Sequence, residues 1–470
     1  MEKGASPFME TARKEMANPM SQAFLSILPP GFAVIKQISM ASFPDPAAAV
    51  ELSRAIRQES VSRLPELLEE FEANALSNGA RVFWATDAAA ANEYILNLCR
   101  GKGATFITKG KSMITEETGL NTALAEGGIE PFETDLGEFI TQLMGRPPFH
   151  IVGPAINIPA AEISEVFLEK GIISEPTNDA VALGKAVRVY LRDRFRNLKV
   201  GIVGVNMAVA SNGAIINVEN EGNIRLNKSS PETLVAVMSL EKVVPDMSDA
   251  LHILRILCRH CVGQKISGYV TMETGPAKED ETDGPKELHI VILDNGRSQI
   301  YRDTRTRQAL KCIRCGACLN ICPVYSRIGG YPYGFAYSGP MGQMLNPLLL
   351  GFDQTKDLFS ACTLCGACRD VCPAGINHPG LFLYYRSITA GNAGAKEKAL
   401  YGSAAAAMQS SLAWGLGIKT ARAVLNRNSR DGYISSIDGR VDGWFSDRDL
   451  PEIADKTFHE LWKGLDRKGE

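Results

Sequence analysis

Apolar residues recur at three- and four-residue steps over Pro46–Arg57 and again over Ser60–Leu76. Leu64, Leu67, Leu68 and Phe71 fall on one side of the second helix so predicted. Pro29-Pro30-Gly31 is expected to break the segment before them. Residues 1–78 therefore read as a polar-faced helical lead-in. At Gly79 the pattern changes. Arg81–Ala85 (Val82, Phe83, Trp84) is a short apolar run of strand length. A helix follows from Asp87, a good N-cap, to Cys99, with Tyr94, Ile95 and Leu98 on one side. Ala104–Thr108 reads as a second strand and Ser112–Glu126 as a helix stopped by Gly127-Gly128. The alternation continues with helix Leu136–Met144, strand His150–Pro154 and helix Asn178–Arg196. Strands Lys199–Val203, Ala214–Val218 and Thr233–Leu240 come next, then helix Ser248–Cys261 and strands near Ile266–Met272 and over Leu288–Leu293. Val/Ile-rich runs alternating with helices predict an α/β domain over a mostly parallel sheet, residues 79–300. Lys278–Lys286 is a charged, turn-rich excursion between two strands.

Asp294-Asn295-Gly296 closes that domain, and the polar helix Ser298–Leu310 leads into a different kind of sequence. Cys312-x-x-Cys315-x-x-Cys318-x-x-x-Cys322-Pro323 is followed by Cys362-x-x-Cys365-x-x-Cys368-x-x-x-Cys372-Pro373. Three cysteines at steps of three let one loop wrap a face of a [4Fe–4S] cube, and the fourth, before proline, reaches the other cube. The expected ligands of cluster one are Cys312, Cys315, Cys318 and Cys372. Those of cluster two are Cys362, Cys365, Cys368 and Cys322. Zinc uses pairs of ligands and has no need of a third and fourth cysteine at this spacing. Disulfides are disfavoured by an odd total of 11 cysteines and the lack of a secretory signal. The link Pro323–Ala361 is longer than a compact bacterial ferredoxin needs, so residues 301–390 are expected to form a larger, helical two-cluster module. Residues 391–470 read as a helical and surface region, with a polar tail Gly443–Trp462.

The chain has 470 residues, 45% hydrophobic and 22% charged, which suits a soluble globular protein of two or three domains. A net charge of −3 argues against a nucleic-acid partner. Met1–Pro19 lacks the apolar core of a signal peptide. The most apolar stretch, Ala404–Val424, is interrupted by Gln409, Ser410, Ser411, Lys419 and Arg422. No membrane insertion is expected, and any peripheral contact comes through a partner. Reduced thiols and oxygen-sensitive clusters suit the cytoplasm.

With both patterns placed, the chain resembles the lactate utilization protein B family, the iron–sulfur component of a bacterial L-lactate oxidation system. The resemblance runs from about Gly79 to the C-terminus. It is carried by Gly110–Glu117 (Gly-Lys-Ser-Met-Ile-Thr-Glu-Glu), Glu133–Glu138, Asn220–Asn223, Leu293–Arg297, Lys311–Cys318, Cys322–Tyr325 and Tyr337–Gly342. It implies a sugar-isomerase/CoA-transferase-like α/β domain, the LUD domain, then an α-helical ferredoxin module with two [4Fe-4S] clusters. The implied task is electron transfer while lactate is oxidised to pyruvate. The implied partners are a cysteine-rich subunit and a smaller LUD-domain protein. Where the family usually reads Ala-Glu-(Ser/Thr)-Gly, this chain reads Ala210-Ser211-Asn212-Gly213.

Other residues invite chemistry. Lys111, Glu116 and Glu117 open a helix after a strand, where open α/β sheets bind ligands and helix N-termini attract anions. The competing reading is a solvated first turn whose acids suit the dipole. Glu221, in Glu219-Asn220-Glu221-Gly222, superficially matches a CoA-transferase nucleophile, against which stands a polar hairpin turn before Ile224–Leu226. Cys258 and Cys261 read as buried thiols on a helical stripe with Leu251 and Leu254, and Cys99 as a core residue. His378, Tyr325, Tyr331 and Tyr333 flank the cluster loops and read mainly as packing. Arg314 and Arg369 stand beside cysteines and can offset cluster charge. No Gly-x-Gly-x-x-Gly and no adjacent cysteine pair occur. The chain therefore reads as an electron conduit, with no catalytic residue named. The rival reading makes the α/β domain itself a ligand-binding or catalytic unit for a hydroxy acid or CoA-type substrate.

Overall fold

In the computed structural model, residues 8–391, 394–436 and 448–463 are described. The chain divides into two compact units after Thr389. The first is built on a six-stranded, wholly parallel sheet of β1 (Arg81–Ala85), β2 (Phe106–Lys109), β3 (Glu130–Glu133), β4 (Val200–Gly204), β7 (Thr233–Ser239) and β10 (Glu287–Leu293), in the order β1-β10-β7-β4-β2-β3. A second sheet, β8-β5-β6-β9, is made by β5 (Met207–Val209), β6 (Ala214–Glu219), β8 (Val243–Val244) and β9 (Tyr269–Glu273).

The central strands are buried on both faces, which explains their unbroken Val/Ile character: Ile202, Val235, Ala236, Ile290 and Ile292 are fully enclosed. One face packs on Ala91, Ile95 and Cys99 of helix Ala88–Gly101 and on Leu120 and Leu124. The other meets α4 (Leu64–Ser77) through Leu67 and Phe71, and this core runs on without interruption to Leu319, Tyr325, Tyr337, Met341 and Phe382 of the cysteine segment. The helical lead-in, α1 (Phe8–Ala17), α2 (Pro19–Met40), α3 (Pro46–Ser62) and α4, is thus part of the same packed body. Arg57 of α3 is buried and donates to the carbonyls of Glu241, Val243, Leu310 and Lys311. One guanidinium thereby ties the lead-in, the loop after β7 and the entry to the first cysteine run.

Five local expectations are corrected. The helix Pro19–Met40 runs straight through Pro29 and Pro30. Burial of Leu25 and Pro29, and bonds from Gln22 to the carbonyls of Glu15 and Arg327, hold it against the loss of two backbone donors. Among the described residues this helix, and not Ala404–Val424, is the one long and apolar enough by length and composition to cross a membrane. The expected strand at His150–Pro154 is a loop, because the Val152 N–H is taken by His150 Nδ1 and not by a ladder. The expected hairpin after Glu219 is a strand-to-helix turn. Gly222 takes a positive φ of 77°, and the Glu219 carboxylate accepts from the N–H groups of Ile224 and Arg225 at the start of helix Asn223–Ser229. Helix Ser112–Glu126 is split at Gly119 into Met113–Thr118 and Leu120–Glu126.

The second unit contains helices Ala395–Met408 and Ser411–Leu425, a three-stranded antiparallel sheet of two-residue strands, and helix Phe458–Lys463. Residues 443–447 of the predicted tail lie outside the described residues.

His150 and His260 are buried and held neutral; burial lowers each to about 4. Their unfolded value is near 6.5, so the stabilisation is complete above pH 6.5 and is lost as pH falls towards 4. Anaerobic urea unfolding midpoints are expected to drop over that window, with proton uptake on unfolding; a flat profile would contradict it.

Candidate metal centre and adjoining pocket

Each cysteine run folds as the same tight loop. The residue two positions after its first cysteine is left-handed, Arg314 (φ 62°) in one and Leu364 (φ 57°) in the other. The glycine after the second cysteine is left-handed too, at Gly316 and Gly366. Left-handed non-glycine residues are costly and persist where the surroundings impose them. Their recurrence at one loop position in both runs marks an internal repeat of shape. In the second run Leu364 N–H points to Cys362 Sγ (3.3 Å); after the first run, Tyr325 N–H at the start of a helical turn points to Cys322 Sγ (3.5 Å).

Cys312, Cys315, Cys318 and Cys372 line one cavity, and Cys322, Cys362, Cys365 and Cys368 line another. The last cysteine of each run has crossed to the other loop's cavity. Burial pushes the Cys315 and Cys318 thiols well up, and mutual proximity within the group adds to it. Four thiolates gathered in such a place require a cationic centre, and no side chain in the two cavities supplies one, so the donor sets fit iron–sulfur groups. The two cavities differ in surroundings. Arg57, Lys242, Lys311 and Arg314 are electrostatically linked to Cys312 or Cys372. Around the second set stand Tyr325 and Tyr333, with Arg386 donating to the Cys362 carbonyl (2.6 Å), and Cys365 is exposed.

The first loop is bolted to the sheet by a buried charge chain. Glu117 accepts from Arg297 Nη2 (2.7 Å), Tyr337 Oη (2.5 Å) and Asn295 Nδ2 (2.7 Å). Arg297 Nε reaches Glu241 (2.9 Å), which in turn accepts from Arg314 Nη2 (2.8 Å). Burial alone would raise the Glu241 carboxyl, but the two guanidiniums outweigh it and bring it to about 2. Glu117 is held low in the same way, burial being outweighed by Arg297.

A cavity of about 300 Å³ opens at the carboxyl ends of β4 and β7 and reaches the first cysteine loop. Of the four residues that the sequence offers as a ligand site, Lys111 and Glu221 line it. Glu116 and Glu117 do not: Glu117 belongs to the charge chain, and Glu116 turns to Lys109 Nζ (3.2 Å). Lys109 is buried between Glu133 (2.7 Å) and Glu138 (4.0 Å) as well, so its ammonium stands among three carboxylates and supplies their counter-charge. Lys111 is itself committed to the Val152 carbonyl (2.8 Å) and Asp135. Sequence reading missed Lys242, Asn217 and Asn206, all on the cavity wall. The rule that ligands sit at strand ends points to Lys242, three residues after β7, but nothing in its immediate sequence distinguishes it. Cys258 and Cys261 border the cavity, whereas Cys99 is core. His378 lines the first cysteine cavity; Tyr331 bonds Asn157; Arg369 pairs with Asp370 at the surface. Ser211 is exposed on a turn packed against α4 and is not part of the cavity.

Residues 68–293 match the LUD domain and residues 308–376 the 4Fe-4S dicluster domain. Over 423 residues the chain is 39% identical to Lactate utilization protein B of Bacillus thuringiensis (strain Al Hakam), covering 89% of both chains. The same figures hold for the proteins of that name from Bacillus cereus (strain AH187) and Bacillus anthracis (strain A0248). A crystal structure of a duf162 family protein from Deinococcus radiodurans aligns with 49% of this chain and 98% of its own, at 12% identity and a TM-score of 0.28, too distant to carry an argument.

Arg297→Met leaves Glu117 and Glu241 buried without their shared partner. A loss of about 3–5 kcal/mol is expected from breaking a buried pair on one side, read as a fall in the anaerobic thermal midpoint; an unchanged midpoint would show the chain to be dispensable.

Proposed function

The chain belongs to the lactate utilization protein B family, and on that premise we propose that it is the electron-transfer subunit of a bacterial L-lactate oxidation system. The 4Fe-4S dicluster domain supplies iron–sulfur chemistry, the passage of single electrons. Cys312, Cys315, Cys318 and Cys372 are proposed to hold one [4Fe-4S] cluster and Cys322, Cys362, Cys365 and Cys368 the other. The observation that carries this is the exchange of the fourth cysteine between two adjacent cavities. Cys318 and Cys368, one from each set, are near enough to interact electrostatically, which makes the two sites neighbours.

The protein's own residues give the pair a direction in space. The first set lies against the sheet among Arg57, Lys242 and Arg314, whose charges offset an anionic centre. The second includes the exposed Cys365 and is the side on which an electron partner can approach. Partners are proposed to be a cysteine-rich subunit, where lactate loses its hydrogens, and a smaller LUD-domain protein. The cytoplasm is the proposed location. The cavity beside the first loop favours a second reading, in which the LUD domain also binds a small molecule.

Anaerobically prepared protein is expected to hold about eight irons per chain. Cys312→Ser is expected to lower that to about four and to stop lactate-dependent electron flow in the assembled system. Full flow with one cluster lost would reject the relay.

A further inference from the structure

The edge of a sheet presents a row of unpaired N–H and C=O groups that another strand can take up. Of the four sheet edges in the first unit, three are guarded. The short β8 is fully enclosed, β3 carries Pro131, and β1 opens on the exposed Arg81. β9 (Tyr269–Glu273), the last strand of the second sheet, has none of these devices. It contains no lysine, arginine or proline, none of its residues is buried, and Tyr269 and Met272 are 40% and 44% exposed. Its one carboxylate, Glu273, is tied within the chain to Lys228.

The pleat decides which groups face outwards. On β6 the Ile216 carbonyl accepts from the Asn206 N–H, and the Val218 N–H donates to Asn206 Oδ1, both on the β5 side. Asn217 therefore faces β9, where its partner is Thr271. By alternation Val270 and Met272 direct their N–H and C=O groups away from β6. Among the described residues β9 pairs with β6 alone, and no loop or turn bonds the backbone of Val270 or Met272.

A strand that meets its own copy across a two-fold axis has to be self-complementary. β9 is so about Thr271. With the axis there, Val270 stands opposite Met272 of the second copy as a hydrogen-bonded pair, and the axis repeats that pair. Thr271 meets Thr271, and Tyr269 comes opposite Glu273. Apolar pairs and Thr–Thr pairs are among those that favour antiparallel strands. Charge agrees with this register. Arg225, exposed on helix Asn223–Ser229, lies 5.1 Å from the centre of the Tyr269 ring and makes no ion pair among the described residues. Glu273 of the second copy arrives beside that ring, so Arg225 gains a carboxylate and no like charges are opposed. Moving the axis to Val270 or to Met272 takes Glu273 away from Tyr269.

We propose that two copies of this chain pair β9 with β9, antiparallel and centred on Thr271, joining their second sheets into one continuous sheet. The pairing stands apart from the relay reading, since it calls on no cluster and no ligand.

The test is anaerobic sedimentation equilibrium of the full iron-loaded chain from ~1 to ~100 μM, where a small, mainly backbone interface associates. A monomer–dimer equilibrium is expected. Met272→Lys, which sets a charge beside Val270 of the second copy, is expected to weaken it at least ~10-fold. Register is read by cross-linking. Facing residues of a non-hydrogen-bonded antiparallel pair lie about 4.5 Å apart at Cα, within disulfide reach. Thr271→Cys treated anaerobically with diamide is expected to give a covalent dimer on a non-reducing gel, the two thiols passing two hydrogens to the diamide as the S–S bond forms. Tyr269→Cys, offset from its own copy, and the unsubstituted chain are expected to give none. Iron content and thermal midpoint establish that each variant is folded, and Thr271→Cys serves if Met272→Lys is not. A monomer throughout the range, a dimer unmoved by Met272→Lys, or cross-linking of Thr271→Cys no greater than of Tyr269→Cys overturns the proposal. Each of these results leaves the relay intact.

Discussion

Arg297 sits at 1% exposure between two carboxylates, Glu117 from the helix after β2 and Glu241 from the turn after β7. A buried cation needs such partners, and removing it would strand two negative charges. Because Glu241 also takes Arg314, and Glu117 takes Tyr337, the pairing does more than satisfy itself. It fixes the first cysteine loop and the segment before helix Gly339–Leu350 against the carboxyl edge of the parallel sheet. The segments contributing these residues are far apart in sequence and meet only here. The relation between the cavity at the strand ends and the first cysteine cavity is therefore set by ion pairs lying over an apolar core.

The two cysteine loops share a backbone shape but not an environment. Basic side chains collect round the first, which faces the protein interior. Tyrosines and an exposed thiol mark the second. Hydrogen bonds, net charge and solvent exposure are the levers by which a protein sets a cluster's potential. The repeat is thus symmetric in the backbone of its two loops and asymmetric in the charge and exposure around them, which suits the relay proposed above.

Much of this was legible in the chain. The cysteine spacing grouped the eight thiols as they line the two cavities, and Val/Ile runs placed the sheet's strands within a residue or two at β1, β4, β7 and β10. The short β3 and β5 carried too little pattern to be seen, and Ala160–Glu169 was hidden in a stretch dominated by prolines and glycines. Pro29 and Pro30 misled because local propensity was overruled by packing. Glu116 and Glu117 were singled out together, yet one residue's rotation round the helix sends them to different partners. Lys242 escaped notice because its nearness to Cys312 joins segments 70 residues apart, which only three dimensions reveal.

The crossing of Cys322 and Cys372 between loops has a bearing on biogenesis. Neither four-thiol cage has all its walls until the partner loop has closed, so a half-built module has no complete vessel to offer. The completeness of either cage is thus a property of the pair of loops, and a change that loosens one loop is expected to open both.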